Sequence, residues 1–198
     1  MTYNSYMKLQ IPYLSQHQDV KDTTWHNKSC GIVCVKMILD FLRTNEFEVY
    51  MSVDDVITEG ISIGGYKQDV GWSHESLVRL FRNRGINAYP QEFVTKRKVH
   101  EEKLVEDGLQ KIVDSLKNKK PPVIVSVKEG FSENTFSHLI VLTGFEMSKN
   151  KEEKREKEKL EGFYCHDPDA KVGEKSHIFI EKEKFLEYWR RFVIFVEK

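Results

Sequence analysis

Cys30, His138 and Asp167 stand far apart in this chain, yet they are the residue types from which a thiol nucleophile is built. Such a nucleophile needs a base within hydrogen-bond reach and usually a third group that orients the base. Cys30-Gly31 runs directly into Ile32, Val33, Val35, Met37, Ile38, Leu39, Phe41 and Leu42. That run is too dense and too long in apolar residues for a strand, and it predicts a largely buried helix. Asn27 and Ser29 precede it as good N-cap residues. Cys30 then falls in or beside the first turn, where unpaired N–H groups and the positive dipole end favour an anion. The thiolate is the form favoured there, and it is the nucleophile. Gly31 has no Cβ and leaves room for something to approach closely. A lone cysteine at a helix start reads as a small core residue, so its partners decide.

His138 opens the apolar stretch Leu139-Ile140-Val141-Leu142, which leads to Thr143-Gly144. An imidazole at a strand edge is held by the sheet yet faces a cleft, as a general base or acid requires. Asp167 follows the stretch Phe163 to His166 and is locked by Pro168. If the two strands are neighbours, Asp167 can accept a hydrogen bond from the far nitrogen of His138. Each residue alone is an ordinary strand-end residue. The three together, at the ends of a helix and two strands, point to nucleophilic catalysis.

Other candidates carry less. His26, Cys30 and Cys34 are spaced by four and share one helical face, but zinc wants four ligands in a structural site and no fourth is near. Cys34 reads as a buried apolar thiol. Alternation along a strand sends Cys165 and Asp167 to one face and His166 to the other, which speaks against joint ligation. No metal and no cofactor is therefore expected. Trp25, Trp72 and Trp189 read as core or cleft-wall aromatics. Trp72 and His74 either line the cleft or serve a helix start.

The elements that must position these groups change character along the chain. Met7 to Leu14 reads as an extended lead-in, followed by the polar loop Ser15 to Lys28, and long loops in compact domains are often functional. Ser52 with Asp55 predicts a capping box for a helix over Val53 to Glu59. Gly60 to Gly71 is expected to be irregular. Ser73 caps a helix with Leu77, Leu80 and Phe81 on one face, ended by Gly85. Ile86 to Tyr89 reads as a short strand. A second amphipathic helix spans Glu101 to Lys117, stopped by Pro121-Pro122. Strands follow at Val123 to Val127, His138 to Phe145, Phe163 to His166, His177 to Ile180 and Phe192 to Val196, with a short helix at Lys184 to Arg190. Helices first and strands afterwards predict an α+β domain.

The 198 residues are expected to form a single domain, 1–198, with a charged surface insertion at about 148–160. In that insertion Lys149 to Lys159 is almost wholly charged and reads as a solvated hairpin extension, helical or disordered, without catalytic duty. Lys plus Arg and Asp plus Glu each count 31, so no net field argues for nucleic acid or an acidic membrane surface. Three cysteines are too few for a disulfide framework and suit a reducing compartment. Met1 to Leu9 lacks a signal-peptide pattern, and no apolar run approaches the ~20 residues of a membrane helix. A cytoplasmic location is the expectation, although a trimmed secreted form would look the same.

The motifs also occur in a familiar order. Ile11-Pro12-Tyr13-Leu14-Ser15-Gln16, Cys30-Gly31 before an apolar helix, Gly71-Trp72-Ser73-His74 before another, Ser137-His138 leading to Thr143-Gly144, and Asp167-Pro168 resemble the C39-like cysteine peptidases of the papain-like superfamily. The resemblance runs from about Ile11 to Pro168. It implies Cys30 as nucleophile, His138 as base, Asp167 as orienting group and Gln16 as oxyanion-hole donor. It also implies a papain-like fold, with an N-terminal helical lobe packed on a C-terminal antiparallel sheet and the site in the cleft between them. Trp72, His74 and Gly31 are the substrate-binding candidates. Family members commonly follow Cys-Gly with Pro and a small hydroxyl residue, where this chain has Ile32-Val33. Gln18 is a second amide in the same loop that can take the oxyanion role. The implied reaction is hydrolysis of a peptide or amide bond through a thioester. The alternatives are a papain-like binding or regulatory module without turnover, and a transglutaminase-like acyltransferase. The expected partner is a peptide or peptide-like substrate. Bacteriocin-processing relatives are fused to membrane transporters, and nothing in this sequence spans a membrane, which points away from leader cleavage during export.

Overall fold

The computed structural model describes residues 2–43, 50–68, 70–95, 100–118, 121–133, 136–150, 158–170 and 177–197. The strands are β1 (Thr2–Lys8), β2 (Tyr66–Lys67), β3 (Gly71–Trp72), β4 (Asn87–Glu92), β5 (Val123–Lys128), β6 (Ser137–Asn150), β7 (Glu158–His166), β8 (Ile178–Glu181) and β9 (Trp189–Glu197). The helices are α1 (Cys30–Leu42), α2 (Val53–Ser62), α3 (His74–Arg82), α4 (Glu101–Lys117) and α5 (Lys182–Tyr188). Among the described residues, none of these helices is long and apolar enough to cross a membrane.

Among the described residues, seven strands make one sheet in the order β4-β9-β5-β6-β7-β8, with β1 added to β6. Every pairing in it is antiparallel. β6 is the axis of the sheet. Its first half pairs with β5, ending at Val123 opposite Leu142, and its second half pairs with β1 from Lys8 opposite Gly144. On its other side β7 pairs from Val141 to Lys149, and the register slips at Thr143 between Leu142 and Gly144. At that slip Leu9 N–H donates to Thr143 O at 2.7 Å, which seats the lead-in segment against the sheet. Gly144 is required there. A Cβ on it would stand 2.0 Å from the Met7 carbonyl oxygen.

The periodic helices form where the sequence predicts them, because capping and spacing are local. The Ser52–Asp55 capping box is present, and α4 has the expected bounds with Glu101 and Glu102 in its first turn and Lys117 in its last. α1 is buried along Gly31 to Ile38 and packs on β6, α2 and α3. The buried apolar residues of helices and sheet form one contiguous cluster. α5 starts at Lys182, two residues before the expected bound, and β9 starts at Trp189.

Three expectations change. The lead-in is a strand over Thr2–Lys8 and irregular after it, because the partner that makes it a strand is the distant end of β6. Gly60 to Gly71, expected to be irregular, contains half of a small hairpin in which Tyr66 faces Trp72. The charged stretch is partly strand: Lys149 pairs with Tyr3 and with Glu158, and its Nζ lies 3.1 Å from Glu158 Oε1. Residues 151–157 lie outside the described residues.

Replacing Gly144 with alanine should therefore cost roughly 1–3 kcal/mol or more, because the added methyl meets backbone and not a movable side chain. A urea midpoint equal to that of the wild type would show that the β1–β6 contact yields without cost.

Candidate active site

The sulfur of Cys30 stands at the N-terminus of α1, half-buried. Ser29 occupies the N-cap position, but its side chain makes no cap bond and its hydroxyl is buried with no partner among the described residues. No side chain of the N-cap therefore takes the first-turn N–H groups, which stay directed toward the cleft end of the helix.

His138 is one residue into β6 and only 5% exposed. Its Nε2–H donates to Asp167 Oδ1 at 2.6 Å, and the Cys30 sulfur lies near enough to the ring to favour its charged form. Because Asp167 occupies Nε2, Nδ1 is the ring nitrogen left for a further partner. Burial opposes charge on this ring, yet the Asp167 bond and the Cys30 sulfur outweigh it, and the pKa rises well above 6.5. Burial likewise pushes against the Asp167 carboxylate, but the His138 bond prevails and the carboxyl titrates below its ordinary value. The β6–β7 ladder makes this contact. Val141 lies opposite His166, so the residue after β7 reaches back toward the start of β6.

The loop from Tyr13 to Asp19 is zipped to the corner that follows β7. Tyr13 Oη–H donates to Asp167 O at 3.1 Å, and Gln16 N–H donates to Pro168 O at 2.9 Å. His166 donates through Nε2 to Ile11 O at 3.0 Å, since its Nδ1 accepts from His177 N–H at 3.1 Å. Gln16 is buried at this seam, and its Nε2 donates to Asp169 Oδ1 at 2.7 Å. Gln18, the alternative amide, is exposed on the same loop. Asp169 had no signal in the sequence beyond its place in Asp167-Pro168-Asp169, and its partners Gln16 and His17 lie some 150 residues away.

The profile of the Peptidase_C39 like family matches residues 8–194. The chain belongs to that family. Its architecture is the papain-like α+β arrangement, and two solved structures share it. One is a double glycine motif protease from an AMS/PCAT transporter in complex with the leader peptide, at TM-score 0.55 and 15% identity over 96% of this chain and 94% of that one. The other is the peptidase domain of Streptococcus ComA, a bi-functional ABC transporter of a quorum sensing pathway, at TM-score 0.51 and 15% identity over 86% of this chain and 92% of that one. No curated protein matches at a significant level. Membership makes this a cysteine peptidase chain, and the thiols divide accordingly. Cys34 and Cys165 are fully buried, and burial pushes both well above the ordinary thiol range.

The remaining candidates have distinct surroundings. Trp72 is buried and donates from Nε1 to Lys28 O at 2.7 Å, which ties the β2–β3 hairpin to the segment that delivers Cys30. With Trp25 and Tyr66, at ring distances of 5.6 and 5.2 Å from Trp72, it makes an aromatic wall beside that segment. Gly31 faces the core. A Cβ there would lie 3.0 Å from both Leu77 and Leu139, so the close approach it permits is that of α1 to α3 and to β6. His74 lies stacked on Phe192 at 3.6 Å, with its pKa lowered by burial and by Arg190. His26 bonds Val20 O at 3.0 Å and Cys34 donates to Leu139 O at 3.3 Å, so the His26-Cys30-Cys34 spacing builds no common site. A cavity of about 500 Å³ at the far end of α1, lined among others by Lys36, Asp40, Tyr50 and Arg84, touches none of the residues above.

Two outcomes follow from these environments. Under limited iodoacetamide, mass spectrometry should find Cys30 labelled well before Cys34 or Cys165, and equal labelling would contradict the burial pattern. The second concerns pH. A raised histidine pKa adds stability that is complete below about 6.5 and lost as pH climbs through the folded value, while a lowered aspartate pKa adds stability present above about 3.8 and lost as pH falls through its folded value. The His138–Asp167 pair thus stabilises fully between roughly pH 4 and 6.5. The urea-midpoint gap between wild type and His138→Gln should be widest there and shrink at alkaline pH. A gap independent of pH would mean that the two groups do not stabilise each other's charge.

Proposed function

We propose that this chain is a single-domain thiol peptidase that hydrolyses a peptide bond through Cys30, His138 and Asp167, with Gln16 as an oxyanion donor. The observation that carries the reading is the bond from the buried His138 ring to Asp167 Oδ1 at 2.6 Å, with Cys30 near enough to the same ring to favour its charged form. Family membership and the papain-like fold agree with it.

In this reading the Cys30 thiolate attacks the scissile carbonyl carbon. The carbonyl oxygen takes up the electron pair and is met by the free N–H groups at the start of α1 and by the Gln16 amide. His138, protonated at Nδ1 and held by Asp167 at Nε2, gives its proton to the departing amine. A thioester remains on Cys30. Water then attacks it, losing a proton to Nδ1, and the acid product leaves as the thiolate reforms. Asp167 fixes the ring's tautomer and stabilises the imidazolium without taking the proton itself. A solved neighbour is a double glycine motif protease holding a leader peptide, which supports an extended peptide as the substrate class.

Peptides containing a Gly-Gly pair, assayed by mass spectrometry, test this directly. Cys30→Ala and His138→Ala should abolish cleavage. Asp167→Asn should fold normally and lower kcat by ~10²–10⁴-fold, and Gln16→Ala by ~10²–10³-fold. Cleavage that survives Cys30→Ala would overturn the proposal.

A further inference from the structure

The Gln16 amide has a difficulty of its own. It sits in a loop that no strand or helix holds, on a side chain with several rotatable bonds, and its two ends have opposite hydrogen-bonding character. An oxyanion donor works only if it is aimed before the charge develops. Something must choose which end of the amide faces the cleft.

We propose that Asp169 is a positioning residue for the thiol reaction, its carboxylate selecting and holding the orientation in which Gln16 presents an N–H to the oxyanion. This rests on the reading of Gln16 as the oxyanion donor. Asp169 Oδ1 accepts one hydrogen of Gln16 Nε2 at 2.7 Å. Reversing the amide would set Oε1 against a carboxylate oxygen, so the carboxylate excludes the wrong orientation. The second hydrogen on Nε2 has no acceptor among the described residues. Gln16 Oε1 is buried and has no hydrogen-bond partner among the described residues, so nothing at that end fixes the orientation and the choice falls to the bond with Asp169. Burying that oxygen unpaired is costly, and a charge-assisted bond at the other end of the same amide is what offsets it.

Asp169 is itself held from two further directions, and the residue before it from a third. Its N–H donates to Asp167 Oδ1 at 2.9 Å, the oxygen that also receives His138. Its Oδ1 takes His17 Nε2 at 2.6 Å beside the Gln16 bond. The peptide carbonyl of Pro168 receives Gln16 N–H. One corner, Asp167-Pro168-Asp169, thus carries two carboxylates: the first orients the base and the second orients the amide.

Acetyl-glycyl-glycinal tests this without a known substrate. The Cys30 sulfur adds to the aldehyde carbon, the carbonyl π bond opens, and the thiol proton passes to the oxygen, which occupies the oxyanion position. Affinity is read as protection of Cys30 from iodoacetamide. Asp169→Ala should weaken protection about 10-fold while leaving the rate and pH profile of iodoacetamide alkylation unchanged, because alkylation forms no oxyanion. Asp169→Asn, whose side-chain carbonyl still accepts from Gln16, should recover most of that loss. Asp169→Ser is too short to reach Gln16 and carries the same expectation as alanine should the alanine variant fail to fold. In a Gln16→Ala background, Asp169→Ala or Asp169→Ser should add nothing. Additive losses, or an alkylation profile altered as in Asp167→Asn, would overturn the proposal. If Gln16→Ala weakens protection and the Asp169 variants do not, this proposal alone fails. If Gln16→Ala has no effect, or the wild type is not protected, the oxyanion reading beneath it fails as well.

Discussion

Helix α1 lies so near β6 and α3 that a methyl group on Gly31 would touch Leu139 of the one and Leu77 of the other at 3.0 Å, and the site depends on that closeness. Cys30 is the residue before this contact and His138 the residue before Leu139. Seating the helix start on the strand start therefore brings thiol and imidazole together without any loop having to carry them. One turn further on, Cys34 donates its thiol hydrogen to Leu139 O, a second tie between the same two elements. The apolar faces of Ile32 to Ile38 hold the rest of the helix in the core, so the end that carries Cys30 inherits the rigidity of a packed interior.

Burial sets the electrostatics of the pair. A buried imidazolium is unfavourable alone, and a buried carboxylate likewise, but each is the counter-charge of the other at 2.6 Å. The chain withdraws competition from the neighbourhood as well. His166, next to Asp167, is kept neutral by burial and uses both ring nitrogens on backbone groups. The cysteines other than Cys30 are buried with their thiols held protonated. The Ser29 hydroxyl leaves the first turn of α1 uncapped, a local loss of helix stability of the sort found where backbone N–H groups are kept for another use.

The corner after β7 joins the two halves of the molecule. It is the end of a strand deep in the sheet, and it receives the loop that comes before α1 through Tyr13, Gln16 and His17. Hydrogen bonds to three consecutive residues, Asp167, Pro168 and Asp169, hold that loop to the sheet.

Much of this was legible in the residues. The buried run after Cys30, the bounds of α4, the Ser52–Asp55 capping box and the β-branched stretch of β5 are local patterns, and local patterns survive folding when tertiary contacts agree with them. The residue types of Cys30, His138 and Asp167, each at the end of such an element, were legible for the same reason. What depends on partners distant in sequence was not. β1 is a strand only because the second half of β6 is free to pair with it, and Gly31 is packing space only because Leu77 and Leu139 arrive there. His74 is stacked on a strand more than a hundred residues later. The hold of Asp169 on Gln16 spans 153 residues and has no periodicity to announce it. Residue chemistry and element type are encoded within a few turns of chain, whereas which groups meet is decided by strand register and helix seating, and those exist only once the core has closed.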